Sequence, residues 1–208
     1  MYAKKLFLSF ILGSTALHAV GSSQYVGVVF EGGYDLLKQE RSKAENVDID
    51  PIVYGAKLNL GIDSGEELRT NIFFGLQYFD SDLYGYEIPE GSDTATMVGS
   101  TNQLLYSIGL DIIKTYSTKG SSILPYLKGG VDYEFMQLDG YAQSWANNVG
   151  LSFGGGTFLR MSESLEWQLG AYYKYRMWGN YNLDTLETKN VELSDHSLML
   201  ELGLNFHY

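Results

Sequence analysis

The sequence predicts an all-β chain closed into an eight-stranded antiparallel up-and-down transmembrane β-barrel, and three observations carry that prediction. Large apolar residues recur at every second position in eight successive segments, the period of an extended strand. Within each segment the charged residues keep to one face and the large apolar ones to the other. The connections between segments alternate long and short, as an up-and-down meander requires.

The N-terminus stands apart from this pattern. Lys4 and Lys5 precede an apolar run from Leu6 to Leu17 and small residues around Ala19, the layout of a secretory signal peptide. The run is shorter than the roughly 20 residues a membrane-spanning helix needs. Residues 1–19 are therefore expected to be removed, leaving 20–208 as one barrel domain.

The first strand places Val26, Val28 and Phe30 on one face and Gly27, Val29, Glu31 and Gly33 on the other. A charged stretch from Asp35 to Asp50 reads as a long connection. The second strand sets Ile52, Tyr54, Ala56, Leu58, Leu60 and Ile62 against Val53, Gly55, Lys57, Asn59 and Gly61. A polar turn from Asp63 to Glu67 leads to the third, where Leu68, Ile72, Phe74, Leu76 and Tyr78 oppose Arg69, Asn71, Gly75 and Gln77. After a second long connection, Asp80 to Thr101, the fourth strand presents Leu104, Tyr106, Ile108, Leu110 and Ile112 opposite Ser107, Gly109 and Asp111.

Ser117 to Ser122 turns the chain into the fifth strand, with Leu127, Val131, Tyr133 and Phe135 opposite Tyr126, Lys128, Gly130, Asp132 and Glu134. Pro125 sits at its start, where a missing ladder donor is tolerated. A third long connection, Gln137 to Asn148, contains Trp145. The sixth strand carries Val149, Leu151, Phe153 and Leu159 opposite Ser152, Gly154, Gly156 and Arg160, and the seventh sets Leu165, Trp167, Leu169, Tyr173 and Tyr175 against Glu166, Gln168, Gly170, Lys174 and Arg176. A fourth long connection, Gly179 to Asp195, leads to the closing strand. There Leu198, Leu200, Leu202, Leu204, Phe206 and Tyr208 alternate with Met199, Glu201, Gly203, Asn205 and His207.

Which face is inside follows from the sorting. A soluble barrel of eight strands puts its apolar residues inward and its charges outward. Here the apolar sets contain no ionisable side chain except tyrosine, apart from Lys114 at a strand end. A lysine or arginine facing lipid at the bilayer midplane costs about 2 to 4 kcal/mol. The charge-free faces are therefore expected to meet lipid. The opposite faces hold Glu31, Lys57, Arg69, Asp111, Lys128, Asp132, Glu134, Arg160, Glu166, Lys174, Arg176 and Glu201. Six acids against six bases predict a charge-paired lumen network, since isolated buried charges are costly. Glycines at 27, 33, 55, 61, 75, 109, 130, 150, 154, 156, 170 and 203 share that face. They relieve crowding in a barrel just wide enough for side chains to fill.

Composition excludes several functions. The formal charge of −11 becomes −13 once Lys4 and Lys5 are gone, so nucleic acid is not an expected partner. The chain has no cysteine, and no disulfide supports it. A mean hydropathy of −0.13 is what lipid-facing apolar and lumen-facing polar residues give when averaged.

These features resemble the small bacterial outer-membrane barrels of the OmpA and OmpX type, over the whole span after residue 19. The resemblance is carried by Tyr25-Val-Gly, by Pro125-Tyr-Leu-Lys-Gly-Gly-Val-Asp-Tyr, and by Phe153-Gly-Gly-Gly through Ser162-Glu-Ser-Leu to Tyr172-Tyr-Lys-Tyr-Arg, ending in the terminal aromatic Tyr208. It implies a location in the bacterial outer membrane, with outer-membrane lipids, lipopolysaccharide and the barrel-assembly machinery as partners. Leu202, Leu204, Phe206 and Tyr208 then match the C-terminal signal read by that machinery. The peptidoglycan-binding domain of OmpA itself is not matched, so cell-wall anchoring does not carry over.

Motifs for chemistry are sparse. His196 and Ser197 adjoin, with Asp195 beside them, and some small barrels are lipid A-modifying enzymes that use Ser and His. Successive residues on a strand face opposite ways, so a nucleophile and its base are not expected from this pair. Gly154-Gly155-Gly156 lacks the Lys-Ser/Thr and helix start of a phosphate loop. No cofactor and no metal site are proposed from ligand spacing. The four long connections carry formal charges of −2, −5, −1 and −3, most of the mature excess. Asp80, Asp82, Glu87, Glu90 and Asp93 read either as a solvated repulsive surface or as oxygen ligands for divalent cations. Tyr34, Tyr54, Tyr78, Tyr133, Phe135, Trp167, Tyr175, Phe206 and Tyr208 are expected to form interfacial girdles. Taken together, the expected role is structural or surface-interacting, with an extracellular ligand left open. The alternatives are a narrow pore for small solutes and, behind it, a lipid A-modifying enzyme.

Overall fold

The computed structural model describes residues 23–41, 47–64, 67–87, 96–116, 121–137, 145–179 and 191–208. The expected signal peptide lies outside them. The strands are β1 (Ser23–Arg41), β2 (Val47–Ile49), β3 (Ile52–Asp63), β4 (Leu68–Glu87), β5 (Thr96–Thr115), β6 (Ile123–Gln137), β7 (Trp145–Arg160), β8 (Leu165–Trp178) and β9 (Val191–His207). The long strands pair antiparallel in chain order, and β1 pairs with β9 from Tyr25↔His207 to Arg41↔Val191. That last ladder closes the sheet and removes its edges. β2 and β3 occupy one position in the ring. Their registers against β1, Leu37↔Ile49 and Tyr34↔Ile52, are continuous across Asp50-Pro51. Proline has no N–H to donate there, although its carbonyl still accepts from the Asp35 amide at 3.0 Å. The barrel thus has eight strands, as the alternation predicts.

The surface is inverted relative to a soluble protein. Phe30, Leu58, Phe74, Leu151, Leu200 and Leu202 are exposed, while Glu31, Lys57, Arg69, Lys174, Arg176 and Glu201 are buried. Such an exterior is stable only against an apolar solvent. Lys114 is the exposed rim lysine, and Glu67 meets it at 3.0 Å.

The strands outrun the sequence reading at the long-connection end. β1 continues through Asp35 to Arg41, β4 and β5 have 20 residues each, β7 begins at Trp145 and β9 at Val191. Charge signalled a connection in these stretches because beyond the bilayer an outward residue meets water, so the apolar-out rule lapses while the ladder goes on. Trp145 accordingly stands on a strand, exposed, with its ring centroid 6.0 Å from that of Phe135. Asp80, Asp82 and Glu87 belong to the backbone of β4, whereas Glu90 and Asp93 lie outside the described residues. Among the described residues no group of three or more His, Cys, Asp or Glu side chains is arranged to hold a metal ion.

Candidate functional site

The polar interior is built in tiers. Near the short-turn end, Arg69 of β4 reaches Glu166 of β8 at 2.6 and 3.2 Å and Asp63 of β3 at 3.0 Å. Its guanidinium lies 4.4 Å from the Phe158 ring centroid, and Phe158 packs with Ile113, Leu124 and Tyr126. His207 closes this end, 3.6 Å from Glu166 and with its ring 5.1 Å from that of Tyr25.

In the middle tier Glu31 takes Lys57 at 2.7 Å and accepts the Tyr172 hydroxyl at 2.6 Å. Glu201 is paired with Lys128 and accepts from Tyr126 at 2.5 Å and from Gln168 at 3.0 Å. Lys128 Nζ also stands 4.1 Å from the Tyr172 ring centroid, a cation–π contact inside a desolvated space.

The outer tier centres on two bases of β8. Lys174 bridges Asp132 and Glu134. Arg176 reaches Glu134 at 2.7 Å through Nε, Asp35 and Asp195 at 3.1 Å through Nη1, and the Gln77 carbonyl oxygen at 2.8 Å through Nη2. The Ser197 hydroxyl joins the same cluster and donates to Asp35 at 3.1 Å. Directly outward of it is an apolar cap. Leu37, Phe79, Met136 and Trp178 each lie two residues beyond Asp35, Gln77, Glu134 and Arg176 on their strands, and they cluster with Val53, Leu105 and Ala146.

Eleven of the twelve charges expected on the inward faces are buried. Arg160 is the correction. It is the last residue of β7 and is exposed, beside an open depression at the short-turn end that Ser122, Ser162, Glu163 and His207 also line. Alternation set its parity correctly, but the strand ends before that parity has a lumen to face. Asp35 and Asp195 were missed because they sit where charge was read as a connection. The buried set among the described residues is therefore eight acids and five bases, not six and six. Asp111 is buried with Lys128 and Lys57 as its foremost opposing charges. Among the described residues, the Oδ1 atom of Asp132 and the Ser107 hydroxyl have no hydrogen-bond partner.

The Ser–His pair is split as alternation requires. Ser197 is buried in the lumen, and His196 is on the outside against Tyr173 and Tyr175. At the chain's end Leu202, Leu204, Phe206 and Tyr208 are all exposed on the lipid side, and the Tyr208 amide donates to the Gln24 carbonyl at 3.0 Å.

A closed eight-stranded antiparallel sheet with an apolar exterior and a charge-filled core has the fold of the small outer-membrane barrels, the OmpA/OmpX type. Solved structures agree. The chain is similar to Neisserial surface protein A, with 18% identity and a TM-score of 0.56 over 90% of this chain and 99% of that one. It is similar to OprG of Pseudomonas aeruginosa, with 9% identity and a TM-score of 0.55 over 89% and 96%. A major outer membrane protein of Thermus thermophilus gives 14% identity and a TM-score of 0.51 over 90% and 100%. At these identities the likeness is one of fold. No family model and no curated protein matches the sequence.

Proposed function

We propose that the chain is an integral protein of the bacterial outer membrane whose barrel is sealed, serving a structural or surface-interacting role rather than conducting solutes or catalysing a reaction. The carrying observation is the interior itself. The Arg176 cluster is capped outward by Leu37, Phe79, Met136 and Trp178, and Ile113, Leu124 and Phe158 fill the space beside Arg69. Apolar constrictions in a narrow lumen exclude water and so close it to ions. The exported location, insertion by the barrel-assembly machinery through Leu202 to Tyr208, and contact with lipopolysaccharide belong to this reading. Support for the absence of catalysis comes from Ser197 and His196 standing on opposite sides of the barrel wall.

A narrow pore is the second reading, favoured by the Asp132 Oδ1 and the Ser107 hydroxyl in mid-lumen, which lack partners among the described residues and suit water. Single-channel recording separates the two. A sealed barrel gives no steady openings in planar bilayers, and with the plug of Ile113, Leu124 and Phe158 still beside Arg69 Arg176→Ala alone is expected to give none either. Steady conductance of the unaltered protein would favour the pore.

A further inference from the structure

The outer tier of the lumen carries more acid than base. Lys174 and Arg176 stand there against Asp35, Asp132, Glu134 and Asp195, and all six side chains are buried. Lys174 serves Asp132 and Glu134. Arg176 directs Nε to Glu134 at 2.7 Å and Nη2 to the neutral Gln77 at 2.8 Å. One nitrogen, Nη1, is left for two carboxyl groups. It lies 3.1 Å from Asp35 Oδ2 and 3.1 and 3.2 Å from the two oxygens of Asp195, and it also donates to the Ser197 hydroxyl.

Donors run short around this nitrogen. Nη1 has two hydrogens and Ser197 one, and the serine hydroxyl is 3.1 Å from Asp35 Oδ1 and 3.4 Å from Asp195 Oδ1. Three hydrogens thus face the four carboxyl oxygens and the serine oxygen. Asp35 and Asp195 are themselves within hydrogen-bonding reach of each other. Two ionised carboxylates in contact, away from water and sharing one guanidinium nitrogen, repel each other. A proton between them removes one charge and supplies the missing donor. Among the described side chains, the charged groups that face the pair are Arg176 and Lys174 of β8 and Glu134 and Asp132 of β6. Val53, Gln77, Ser107 and Asn148 from β3, β4, β5 and β7 are neutral. Among the described residues no three acidic or histidine side chains are arranged for a metal ion, which leaves a proton as the counter-charge.

The pair sits on the closing seam. Asp35 of β1 is opposite Ser197 and Asp195 of β9 is opposite Leu37, and the ladder runs on from there to Arg41 and Val191. Asp195 is eleven positions from Phe206 on β9. At about 3.4 Å per residue and a tilt near 40°, that is about 29 Å along the barrel axis, against an apolar band about 25 Å tall. With Phe206 at the inner border, the pair lies just beyond the outer border, a height that rests on the membrane reading above.

We infer that Asp35 and Asp195 hold a single proton between them, and that this proton locks the outer part of the seam between β1 and β9. Its release to an alkaline medium leaves two like charges on neighbouring strands, and the ladder beyond them loosens.

The test uses the full barrel refolded into lipid vesicles, with insertion checked by gel mobility with and without heating. In infrared spectra at about pH 7, with aspartate isotopically labelled at the side-chain carboxyl, the unaltered protein is expected to show the carbonyl stretch of a protonated aspartic acid. Asp35→Asn and Asp195→Asn are each expected to remove that component, since either leaves Arg176 a single carboxylate of the pair. Absence of the stretch from the unaltered protein, or its survival in either variant, overturns the shared proton. Linkage gives a second readout. Above about pH 5 the unfolded chain has lost this proton while the folded one keeps it, so stability falls as pH rises. From about pH 5.5 to about pH 7.5 the folding constant is expected to drop tenfold per pH unit more steeply than in Asp35→Asn. Equal slopes overturn the proposal, as does a stability that follows added calcium rather than pH. In alkaline medium, hydrogen exchange at the amides of Leu37 to Arg41, corrected for its intrinsic rate, is expected to rise in the unaltered barrel and not in Asp35→Asn. A rise of the same size in both overturns the lock. A barrel that fails to insert overturns the membrane reading, and infrared spectra of the same protein in detergent then decide the proton.

Discussion

Arg69 and Glu166 meet across the short-turn end of the lumen through two parallel contacts, Nη1 to Oε1 at 2.6 Å and Nη2 to Oε2 at 3.2 Å, from positions 97 residues apart. Both side chains are almost fully buried. Removing one partner strands the other charge, so Arg69→Met is expected to cost about 3 to 5 kcal/mol. Replacing both, as Arg69→Met with Glu166→Leu, leaves no buried charge in that pair and restores most of the loss. Urea titration of the refolded barrel in lipid vesicles measures both. By contrast Lys114→Met, which breaks the half-exposed pair with Glu67, changes stability by less than about 1 kcal/mol.

The glycines are not equivalent. A Cβ on Gly156 of β7 would fall 2.0 Å from the Leu169 carbonyl oxygen and 2.6 Å from the Gly170 Cα, both backbone atoms of the neighbouring strand. On Gly129, which faces out from β6, the nearest atom is 3.9 Å away. Gly156→Ala therefore forces the ladder apart and is expected to cost about 1 to 3 kcal/mol. Gly129→Ala is expected to be close to neutral, and thermal shifts of the two variants in the same vesicles compare them directly.

Leu202 and Glu201 are sequence neighbours on opposite sides of the wall, the leucine exposed and the glutamate buried. A lysine at Leu202 faces the middle of the apolar band and is expected to cost about 2 to 4 kcal/mol, while the same change at Leu198 near the outer border costs about 0 to 1 kcal/mol. Equal effects at the two depths would contradict the placement of the band.

Tyr208 is 71% exposed and its amide donates one backbone hydrogen bond, to Gln24. Its deletion is expected to leave the refolded barrel stable within about 1 kcal/mol yet to lower its level in outer-membrane fractions severalfold. Unchanged cellular levels would count against Tyr208 as an assembly signal.

The ring of eight strands was legible because lipid and a packed lumen impose opposite demands on alternate residues. Each strand therefore reports both faces at once, as β3 does from Ile52 to Ile62. What alternation does not report is the partner across the lumen. Arg69 finds Glu166, and Lys128 finds Glu201, only once the stagger of all eight strands is set. The cap was illegible for a related reason. Phe79, Met136 and Trp178 come from three different strands and each alone reads as one more inward apolar residue, while Leu37 falls in the charged stretch read as a connection. Asp35 and Asp195 were hidden because outside the bilayer charge no longer distinguishes wall from connection.

The ladder between β1 and β9 does more than complete the sheet. Within β3 to β8, Arg69 already has Glu166, and Lys174 has Asp132 and Glu134. The other buried bases depend on the two ends of the chain. Lys57 on β3 waits for Glu31 on β1, and Lys128 on β6 waits for Glu201 on β9. Arg176 draws Glu134 from β6, but Asp35 arrives on β1 and Asp195 on β9. An open sheet of the middle strands therefore leaves Lys57 and Lys128 opposed by Asp111 of β5 but without the carboxylates they are paired with in the closed barrel, and Arg176 with one of three. Joining the two ends is the step that brings Glu31, Asp35, Asp195 and Glu201 to the bases they bind. A half-zipped sheet leaves these three clusters incomplete together, so closure of the seam is expected to be cooperative, with no stable partly closed form.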